Sequence, residues 1–368
     1  MERIEAWLTL YMTPGLGSAG CRQLVKRFGE PALALQASRR ELETVPGLKK
    51  ECIESIGLES IRTKARKEYE QARKSGVAIL CWDDPGYPAM LREIPGPPAL
   101  IYVRGSAASL SGPAISIVGS RAASSYGTRA AEDLAGQLAR LGYTIVSGLA
   151  LGIDTAAHRG ALQAGGKTIA VLGCGVDIVY PRQNLKLYGD IQGNGAVISE
   201  YPFGTKPESF RFPGRNRIIS GLSRGVVIVE AARRSGSLIT ANYALEQGRE
   251  VFAVPGRVDS PKSEGTHRLL QDGAKLVLNA DDIVNELGPD CPSSGDAVAS
   301  VKARKKDLPE LDEQEKVLLG LLEVYPKPID DIITESGMPV EKVNELMLLL
   351  ELKGACEVLP GRQYQLRN

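Results

Sequence analysis

The chain has 368 residues, of which 43% are hydrophobic and 24% are charged, and its formal net charge is +1. This composition is ordinary for a globular protein, and the length allows two or three domains. No apolar run approaches the ~20 residues that a membrane span needs, and the N-terminus lacks the pattern of a signal peptide, so we expect a cytoplasmic protein with no membrane partner. Six cysteines without a CxxC pair and only two histidines predict neither a disulfide framework nor a metal site.

Residues 1–75 have the pattern of a helical module. Four apolar residues fall on one face of the first helix: Ile4, Trp7, Leu8 and Tyr11. Pro14-Gly15-Leu16-Gly17 then separates two helical segments, and Pro46-Gly47-Leu48 repeats this turn. Such turns are typical of helix-hairpin-helix or SAM-like modules, which can present helix amides to DNA phosphates, although a plain bundle with tight turns fits equally well. A dinucleotide-binding loop is not expected here, because a helix rather than a strand precedes the glycines.

From residue 76 to 288, short β-branched runs alternate with segments of helix length. This pattern predicts a doubly wound α/β domain with a parallel sheet, an extended Rossmann-like fold. The predicted strands are Val77–Trp82, Leu100–Val103, Ile115–Val118, Tyr143–Val146, Thr168–Leu172, Ala196–Ser199, Val226–Val229, Glu250–Val254 and Lys275–Leu278. Domains of this kind bind ligands beyond the carboxyl ends of their strands.

The C-terminal part of the chain predicts a linker and a third module. Residues 289–309 are rich in Pro, Ser, Gly and Lys, and we expect them to form a flexible linker. Residues 310–368 contain three helical segments and a hairpin around Gly361, which together indicate a winged helix. This module has 12 acidic and 6 basic residues, and its third helix carries Glu341 and Glu345. A helix of that sign fits a DNA groove poorly, so we expect a protein-contact or structural role.

Three strand-to-helix turns of the central domain are built from small residues. They are Gly119-Ser120-Arg121, Ser147-Gly148 and Ser235-Gly236-Ser237, and Ser125 and Gly127 follow the first of them. Free amides and hydroxyls at a helix start can hold an anion, and an arginine adds full charge. Three such turns in one domain predict a row of phosphate subsites, which suits a polymer better than a mononucleotide.

A local cationic patch accompanies these turns. Lys206 to Arg217 carries four basic residues and one acidic residue. Single-strand binding needs cations for the backbone and flat rings for the bases. The candidate cations are Arg121, Arg182, Lys206, Arg211, Arg215 and Arg217, and the candidate rings are Phe210, Phe212, Tyr180 and Tyr201. We expect Phe210 to be exposed, because its neighbours are charged, and Phe212 to be buried.

Seven segments of the central domain resemble, in chain order, the DprA/Smf family of DNA processing proteins. They are GSRAASSYG (119–127), SGLALGIDTAAH (147–158), TIAVLGCGVDIVYPRQN (168–184), SEYPFG (199–204), FPGRNRIISGLS (212–223), VVIVEA (226–231) and SGSLITANYALEQGREVFAVPG (235–256). The resemblance implies a non-enzymatic protein without a cofactor that binds single-stranded DNA during natural transformation, protects it and loads the RecA recombinase. It also implies a homodimer formed through the central domain.

The resemblance and the turns together predict one single-stranded DNA site. Its residues are Gly119, Ser120, Arg121, Ser125, Gly127, Ser147, Gly148, Arg182, Asn184, Lys206, Phe210, Arg211, Arg215, Asn216, Arg217, Gly236 and Ser237. His267 stands where many family members have asparagine, and it is given no role.

Two other functions fit parts of the sequence. A nucleotide-cleaving enzyme related to the lysine-decarboxylase-like phosphoribohydrolases would share the fold, but the turn Ser235–Thr240 lacks the catalytic glutamate of their PGGxGTxxE signature. Asp154 and His158, one helical turn apart, could be an acid–base pair, although helix electrostatics also explains them. The other function is an adaptor that acts through the winged helix, which predicts no DNA binding by the central domain alone.

Overall fold

The structure is a computed structural model that describes residues 2–288, 312–322, 326–359 and 361–366. The chain divides into two compact units, Met1–Ser294 and Gly295–Asn368. No helix within the described ranges is both long and apolar enough to cross a membrane. The predicted linker, residues 289–309, lies outside the described residues.

Six helices form the N-terminal module. They are α1 (Arg3–Tyr11), α2 (Gly17–Phe28), α3 (Pro31–Gln36), α4 (Arg39–Glu43), α5 (Lys50–Ser55) and α6 (Glu59–Lys74). Both predicted turns lie between helices, and Gly15 and Gly47 adopt φ angles of 76° and 80°, which glycine tolerates without strain. Trp7 of α1 is fully buried in a core that continues into Ile79 and Tyr102 of the sheet domain. The module is therefore packed onto the sheet rather than forming a separate unit.

The second part of the same unit alternates strands and helices. Its elements are β1 (Val77–Cys81), α7 (Ala89–Arg92), β2 (Leu100–Gly105), β3 (Ala114–Val118), α8 (Ser125–Arg140), β4 (Thr144–Ser147), α9 (Ile153–Gln163), β5 (Thr168–Leu172), α10 (Leu185–Asn194), β6 (Gly195–Ser199), α11 (Arg211–Gly221), β7 (Gly225–Ile228), α12 (Gly236–Glu246), β8 (Glu250–Ala253), α13 (Glu264–Gln271), β9 (Lys275–Leu276) and α14 (Ala280–Leu287). Short 3₁₀ helices span Ala107–Leu110 and Arg182–Asn184. All nine predicted strands are present.

The nine strands form one sheet in the order β1-β2-β6-β5-β4-β3-β7-β8-β9. From β6 to β9 the strands are parallel, which confirms the doubly wound α/β fold. The two leading strands differ from the prediction, because β1 pairs antiparallel with β2 and β2 pairs antiparallel with β6. No long crossover helix joins β1 to β2, so their connection allows the antiparallel arrangement. The chain winds outward from β3 through β6 and then returns to place β7 on the other side of β3, which makes the gap between β3 and β7 the topological switch point.

The central strand β3 is buried on both faces, as its unbroken apolar sequence predicts. Ile115 and Ile117 pack against α8 and α9. Ala114 and Val118 pack against α11 and α12 on the opposite face. Two helical layers therefore hold the strand ends in fixed positions at the switch point.

The C-terminal unit is a winged helix, as predicted. It comprises α15 (Glu313–Leu321), β10 (Lys327–Pro328), α16 (Ile329–Ser336), α17 (Val340–Leu352), β11 (Cys356–Leu359) and β12 (Gln363–Leu366). The strands form an antiparallel sheet in the order β10-β12-β11. Leu318, Ile332 and Leu346, one from each helix, meet in its core.

Candidate nucleic-acid interface

A cleft of about 590 Å³ opens beyond the carboxyl ends of β3 and β7, at the switch point. The turn between β3 and α8, the start of α11 and the start of α12 form its walls. Seven predicted site residues line it: Gly119, Ser120, Arg121, Arg215, Asn216, Gly236 and Ser237. A smaller pocket of about 130 Å³ adjoins it and shares Arg121, Tyr180 and Phe212 with it.

The remaining predicted residues lie outside the lining of the larger cleft. They are Ser125, Gly127, Ser147, Gly148, Arg182, Asn184, Lys206, Phe210, Arg211 and Arg217. Lys206 and Phe210 are nevertheless adjacent to it, because Pro207 and Ser209 of the same loop form part of the wall. Gly148 lines the smaller pocket.

Arg121 is the exposed cation of the first turn. Its guanidinium carbon lies 5.3 Å from the centre of the Phe212 ring, and the Tyr180 and Phe212 rings lie 5.8 Å apart at an interplanar angle of 31°. Phe212, expected to be buried, is instead partly exposed between these two side chains. The arrangement places one cation and two aromatic faces together at the cleft.

Gly119 allows the close approach of three elements at the base of this turn. A Cβ atom at this position would lie 2.7 Å from the side chain of Ile153 and 2.9 Å from the carbonyl oxygen of Glu230. Real Cβ atoms do not occur at such distances. The glycine is therefore required for packing, whatever it contacts in the cleft.

The start of α8 is occupied by a carboxylate of the protein itself. Ser124 caps this helix, and the Gly127 N–H donates to its Oγ at 3.0 Å. The Ser124 N–H donates to Glu230 Oε2 at 2.9 Å, and its hydroxyl donates to Glu230 Oε1. Helix N-termini favour an anion, and Glu230 supplies it. The expectation of a free donor at Gly127 is corrected here, because Ser124 accepts its N–H and the Glu230 carboxylate lies against it, whereas Ser125 is exposed.

The second small-residue turn, Ser147-Gly148, directs its donors into the protein. The Ser147 hydroxyl donates to the Ile117 carbonyl at 2.6 Å. The Gly148 N–H donates to Asp154 Oδ2 at 3.1 Å. The expectation of free donors here is therefore corrected as well, although the buried Gly148 still lines the smaller pocket.

Arg215 is the largest departure from the predicted cationic groove. It is 4% exposed, and it donates to the carbonyl oxygens of Gly148, at 2.8 Å, and of Val171. Burial lowers the pKa of Arg215, and the Asp154 carboxylate opposes that shift. The guanidinium therefore ties β4 and β5 to α11 and forms the floor of the cleft.

Three other predicted residues also make internal contacts. Arg217 forms an ion pair with Glu200 at 2.5 Å. The Asn216 amide donates to the Gly236 carbonyl at 3.3 Å. Asn184 is buried and donates to the carbonyl oxygen of Leu149 at 2.9 Å. These side chains connect the walls of the site and contribute shape rather than free charge.

The loop before α11 carries the most exposed ring of the site. Phe210 is 68% exposed, as predicted, and the Arg211 guanidinium lies 4.8 Å from its centre. Arg211 also forms an ion pair with Glu208 at 3.0 Å, so part of its charge is compensated within the loop. Lys206 is exposed at the other side of the same loop.

The start of α12 adds a second group of cations that the sequence analysis did not identify. Arg233 and Arg234 are exposed, and their neighbours Ala232 and Ser235 line the cleft. Ser235 caps α12 by accepting the Ser237 N–H at 3.3 Å. The signal was present in the sequence as a basic pair directly before the glycine turn.

Asp154 lines the cleft, but Asp154 and His158 have separate hydrogen-bond partners. Asp154 accepts backbone N–H groups, whereas the fully buried His158 ring contacts the Thr168 hydroxyl at 2.7 Å. That hydroxyl donates to the carbonyl oxygen of Ile145, so it accepts from the His158 Nδ1–H. Burial lowers the pKa of His158 to about 3. The ring is neutral and structural.

Comparison with known proteins identifies the family. The family model described as DNA recombination-mediator protein A matches residues 78–288, and that of the DprA winged helix domain matches residues 302–362. Protein Smf of Synechocystis is 33% identical over 390 residues, covering 98% of both chains. Protein Smf of Escherichia coli is 40% identical over 314 residues, covering 80% of this chain and 82% of that protein. The chain belongs to the DprA/Smf family.

Two solved structures of DprA proteins support the same assignment. The X-ray structure of DNA processing protein A from Streptococcus pneumoniae has a TM-score of 0.67 and 36% sequence identity, covering 78% of this chain and 99% of that one. A DNA processing protein A from Helicobacter pylori, described for its single-stranded DNA binding mode, has a TM-score of 0.52 and 33% identity, covering 57% of this chain and 95% of that one. The resemblance noted in the sequence is thereby confirmed.

Proposed function

We propose that this DprA/Smf protein is a non-enzymatic single-stranded DNA-binding protein that protects incoming DNA and loads the RecA recombinase during natural transformation. The observation that carries the proposal is the cleft at the switch point, where Arg121 lies over Phe212 and Phe212 adjoins Tyr180. Guanidinium groups neutralise phosphates, and aromatic faces stack on any base, which is the chemistry of sequence-independent single-strand binding.

We propose fewer DNA-contacting residues than the sequence analysis predicted. Arg215 and Arg217 are engaged by the protein itself, whereas Arg121, Lys206 and Arg182 are exposed. We therefore assign the phosphate contacts to those three cations together with Arg233 and Arg234. Phe210 and the Tyr180–Phe212 pair would stack on bases. Ser120 and the Gly236 amide at the start of α12 would supply neutral hydrogen bonds.

The Helicobacter pylori relative supports the ligand class, since it is described for its single-stranded DNA binding mode. We propose the same ligand for this chain, bound at the equivalent edge of the sheet. Assigning that relative's ligand to this chain rests on the 33% sequence identity between the two proteins.

The nucleotide-cleaving enzyme receives less support from the structure. In a doubly wound domain the first strand-to-helix turn is where a mononucleotide phosphate binds the helix N-terminus. Here Glu230 occupies the start of α8, and a phosphate beside that carboxylate would meet like charge. His158 is buried and neutral, so it offers no acid–base partner to Asp154.

RecA loading and homodimerisation through the central domain complete the proposal. Both are implied by membership of the DprA/Smf family. RecA loading is tested by measuring the rate at which RecA assembles on single strands coated with a single-strand binding protein, with and without this chain. Dimerisation is tested by the molar mass of the full chain in solution across a concentration series.

The decisive experiment for the ligand is a titration of the full chain with single- and double-stranded oligonucleotides at several salt concentrations. We expect tighter binding to single strands and a negative dependence of log affinity on log salt. Equal affinity for both forms, or no binding at low salt, would overturn the proposed function. Cleavage of a nucleotide in the same samples would favour the enzyme.

A further inference from the structure

The loop between β6 and α11, residues 200–210, carries two proposed DNA contacts, Lys206 and Phe210. Both lie toward the end of the loop and are exposed. The preceding residues, 200–205, are anchored to other elements. Several of those anchors come from the N-terminal helical module.

The first anchor is at Glu200, where the loop leaves the sheet. The Tyr11 hydroxyl of α1 donates to the Glu200 carbonyl at 2.8 Å. The Ser18 hydroxyl of α2 donates to Glu200 Oε1 at 2.9 Å. The other carboxylate oxygen, Oε2, receives Arg217. Two helices of the N-terminal module thus hold the residue where the loop begins.

The second anchor is at Phe203, in the middle of the loop. The Phe203 N–H donates to Glu68 Oε1 of α6 at 2.8 Å, and Glu68 is only 9% exposed. The Phe203 ring packs edge-on against Tyr102, with 5.7 Å between centres and an interplanar angle of 87°. Burial raises the pKa of Glu68. Glu68 thus accepts the loop amide in a buried environment that disfavours the charged form of its carboxyl group.

The third anchor comes from the sheet domain and lies beside the second. The Gly204 N–H donates to the two carboxylate oxygens of Asp177 at 3.1 and 3.0 Å. The Gly175 N–H donates to the Thr205 carbonyl at 2.9 Å. Carboxylates of two different elements thus fix two consecutive loop amides, and Lys206 follows two residues later.

These contacts determine how much entropy the loop loses when DNA binds. Fixing the backbone in one conformation costs conformational entropy, so a loop that is already held in its binding geometry loses less entropy on association. Without the hydrogen bond to Glu68, residues 203–205, which precede Lys206, would be held mainly by Asp177 and Gly175 of the sheet domain.

We propose that Glu68 is a positioning residue for the DNA contacts of Lys206 and Phe210, and that the N-terminal helical module is by this route part of the single-stranded DNA site. The inference rests on the proposed function. An apolar side chain in place of Glu68 would avoid the cost of burying a carboxyl group, and the groups that use this carboxyl are the Phe203 N–H and the hydroxyl of the buried Tyr102.

The test compares Glu68→Met with Glu68→Gln in the full chain. Methionine keeps the volume and removes the acceptor, whereas glutamine keeps an oxygen acceptor for the Phe203 amide. We expect Glu68→Met to weaken single-strand binding by roughly tenfold and to accelerate hydrogen exchange at the Phe203 and Gly204 amides without DNA. Glu68→Gln should have nearly the same single-strand affinity and the same amide exchange rates as the parent chain. Glu70→Ala, on the exposed face of the same helix, is the matched control.

A double-mutant cycle separates positioning from general destabilisation. If Glu68 acts through the loop, Glu68→Met should cause no further loss of affinity in a Lys206→Ala/Phe210→Ala background. The full tenfold loss in that background would overturn the inference, as would unchanged affinity and unchanged exchange in Glu68→Met. If Glu68→Met does not fold, Tyr11→Phe, which removes only the hydroxyl that anchors Glu200 from α1, tests whether the N-terminal module restrains the loop, and unchanged affinity in that variant would overturn the module's part in the site. A parent chain that fails to bind single strands would instead overturn the proposed function, and the inference with it.

Discussion

The Glu230 carboxylate, directly after β7, accepts hydrogen bonds from both the backbone N–H and the hydroxyl of Ser124. Ser124 caps α8 and lies in the turn that follows the neighbouring strand, β3. This contact joins the two sides of the switch point across 106 residues of chain. It fills the helix N-terminus that a mononucleotide phosphate would use in other proteins of this fold. The cleft is thereby left to side-chain cations and rings.

Removing this contact should destabilise the first unit. A buried hydrogen bond to a charged group contributes about 1.5–3 kcal/mol, so we expect Glu230→Ala to lower the free energy of unfolding by about that amount. The loss of the helix cap in Ser124→Ala should cost about 1 kcal/mol. The double variant should lose less than the sum, because both changes break the same contact. Ser125→Ala, at the exposed neighbour, should have almost no effect.

Tryptophan fluorescence during urea unfolding measures these changes. The chain has two tryptophans, Trp7 and Trp82, and both lie in the unit Met1–Ser294. The signal therefore reports that unit alone. Equal destabilisation by Ser124→Ala and Ser125→Ala would contradict the assigned cap.

Arg121→Ala should weaken binding to every single-stranded sequence alike. Each neutralised phosphate contributes about −0.7 to the slope of log affinity against log salt, so the slope should become less steep by about that amount. Fluorescence anisotropy at several salt concentrations measures both quantities. Arg140→Ala, at the far end of α8, is the matched control. Unchanged affinity and slope in a folded Arg121→Ala protein would place the DNA elsewhere.

Phe210→Ala should behave differently from Arg121→Ala. Base stacking on an aromatic ring is worth about 1–3 kcal/mol and releases no counterion, so affinity should fall while the salt slope stays the same. The same anisotropy titrations apply. Phe210→Trp retains a stacking surface and should bind as the parent does. A slope that changes with Phe210→Ala would show that the substitution disturbs Lys206 or Arg211 instead.

Acidification should destabilise the first unit through His158. Its pKa falls from 6.5 to about 3 on folding because the ring is buried. The neutral ring therefore contributes stability that is complete above pH 6.5 and is lost as the pH falls toward about 3. At about pH 5 this loss amounts to about 2 kcal/mol.

The matched variant for this pH dependence is His158→Asn, whose amide can donate to Thr168 but does not titrate. Between about pH 7.5 and pH 5 the parent should lose about 2 kcal/mol more than this variant in urea unfolding. Parallel pH profiles would mean that the His158 ring is protonated within the folded protein.

Deletion of residues 310–368 should change single-strand affinity by less than about tenfold. The segment has a net charge of −6, so it offers little attraction to phosphates. The truncated chain retains the whole unit Met1–Ser294, which contains the proposed site. A larger loss of affinity that does not depend on salt would show that the winged helix contacts DNA.

The architecture was predictable because its signals are local. The β-branched runs and the helix-length segments between them fixed the number of strands, and the bounds of β5 agree with the prediction at both ends. The directions of β1 and β2 were not predictable from their sequences. The same run of apolar residues can form a parallel or an antiparallel strand, so the direction of β2 is known only from its pairing with β6 in the structure.

The candidate site was only partly predictable. Phe210 is exposed, as its charged neighbours indicated. Ser124, which caps α8, was not among the predicted site residues, because Ser124 and Ser125 are adjacent in the sequence and either hydroxyl could accept a helix amide. Arg233 and Arg234 were missed, although they directly precede a glycine turn.

Arg121 and Arg215 show what each level of structure decides. The sequence determined that both are arginines close to strand-to-helix connections of a doubly wound domain, and it predicted that a ligand binds at that edge. Their opposite environments come from the tertiary structure. Arg215 is enclosed by the carbonyl oxygens of Gly148 and Val171, which lie 67 and 44 residues away, whereas Arg121 remains exposed beside Phe212. Long-range packing brings acceptors to one guanidinium and none to the other, and no local pattern records which arginine will be buried.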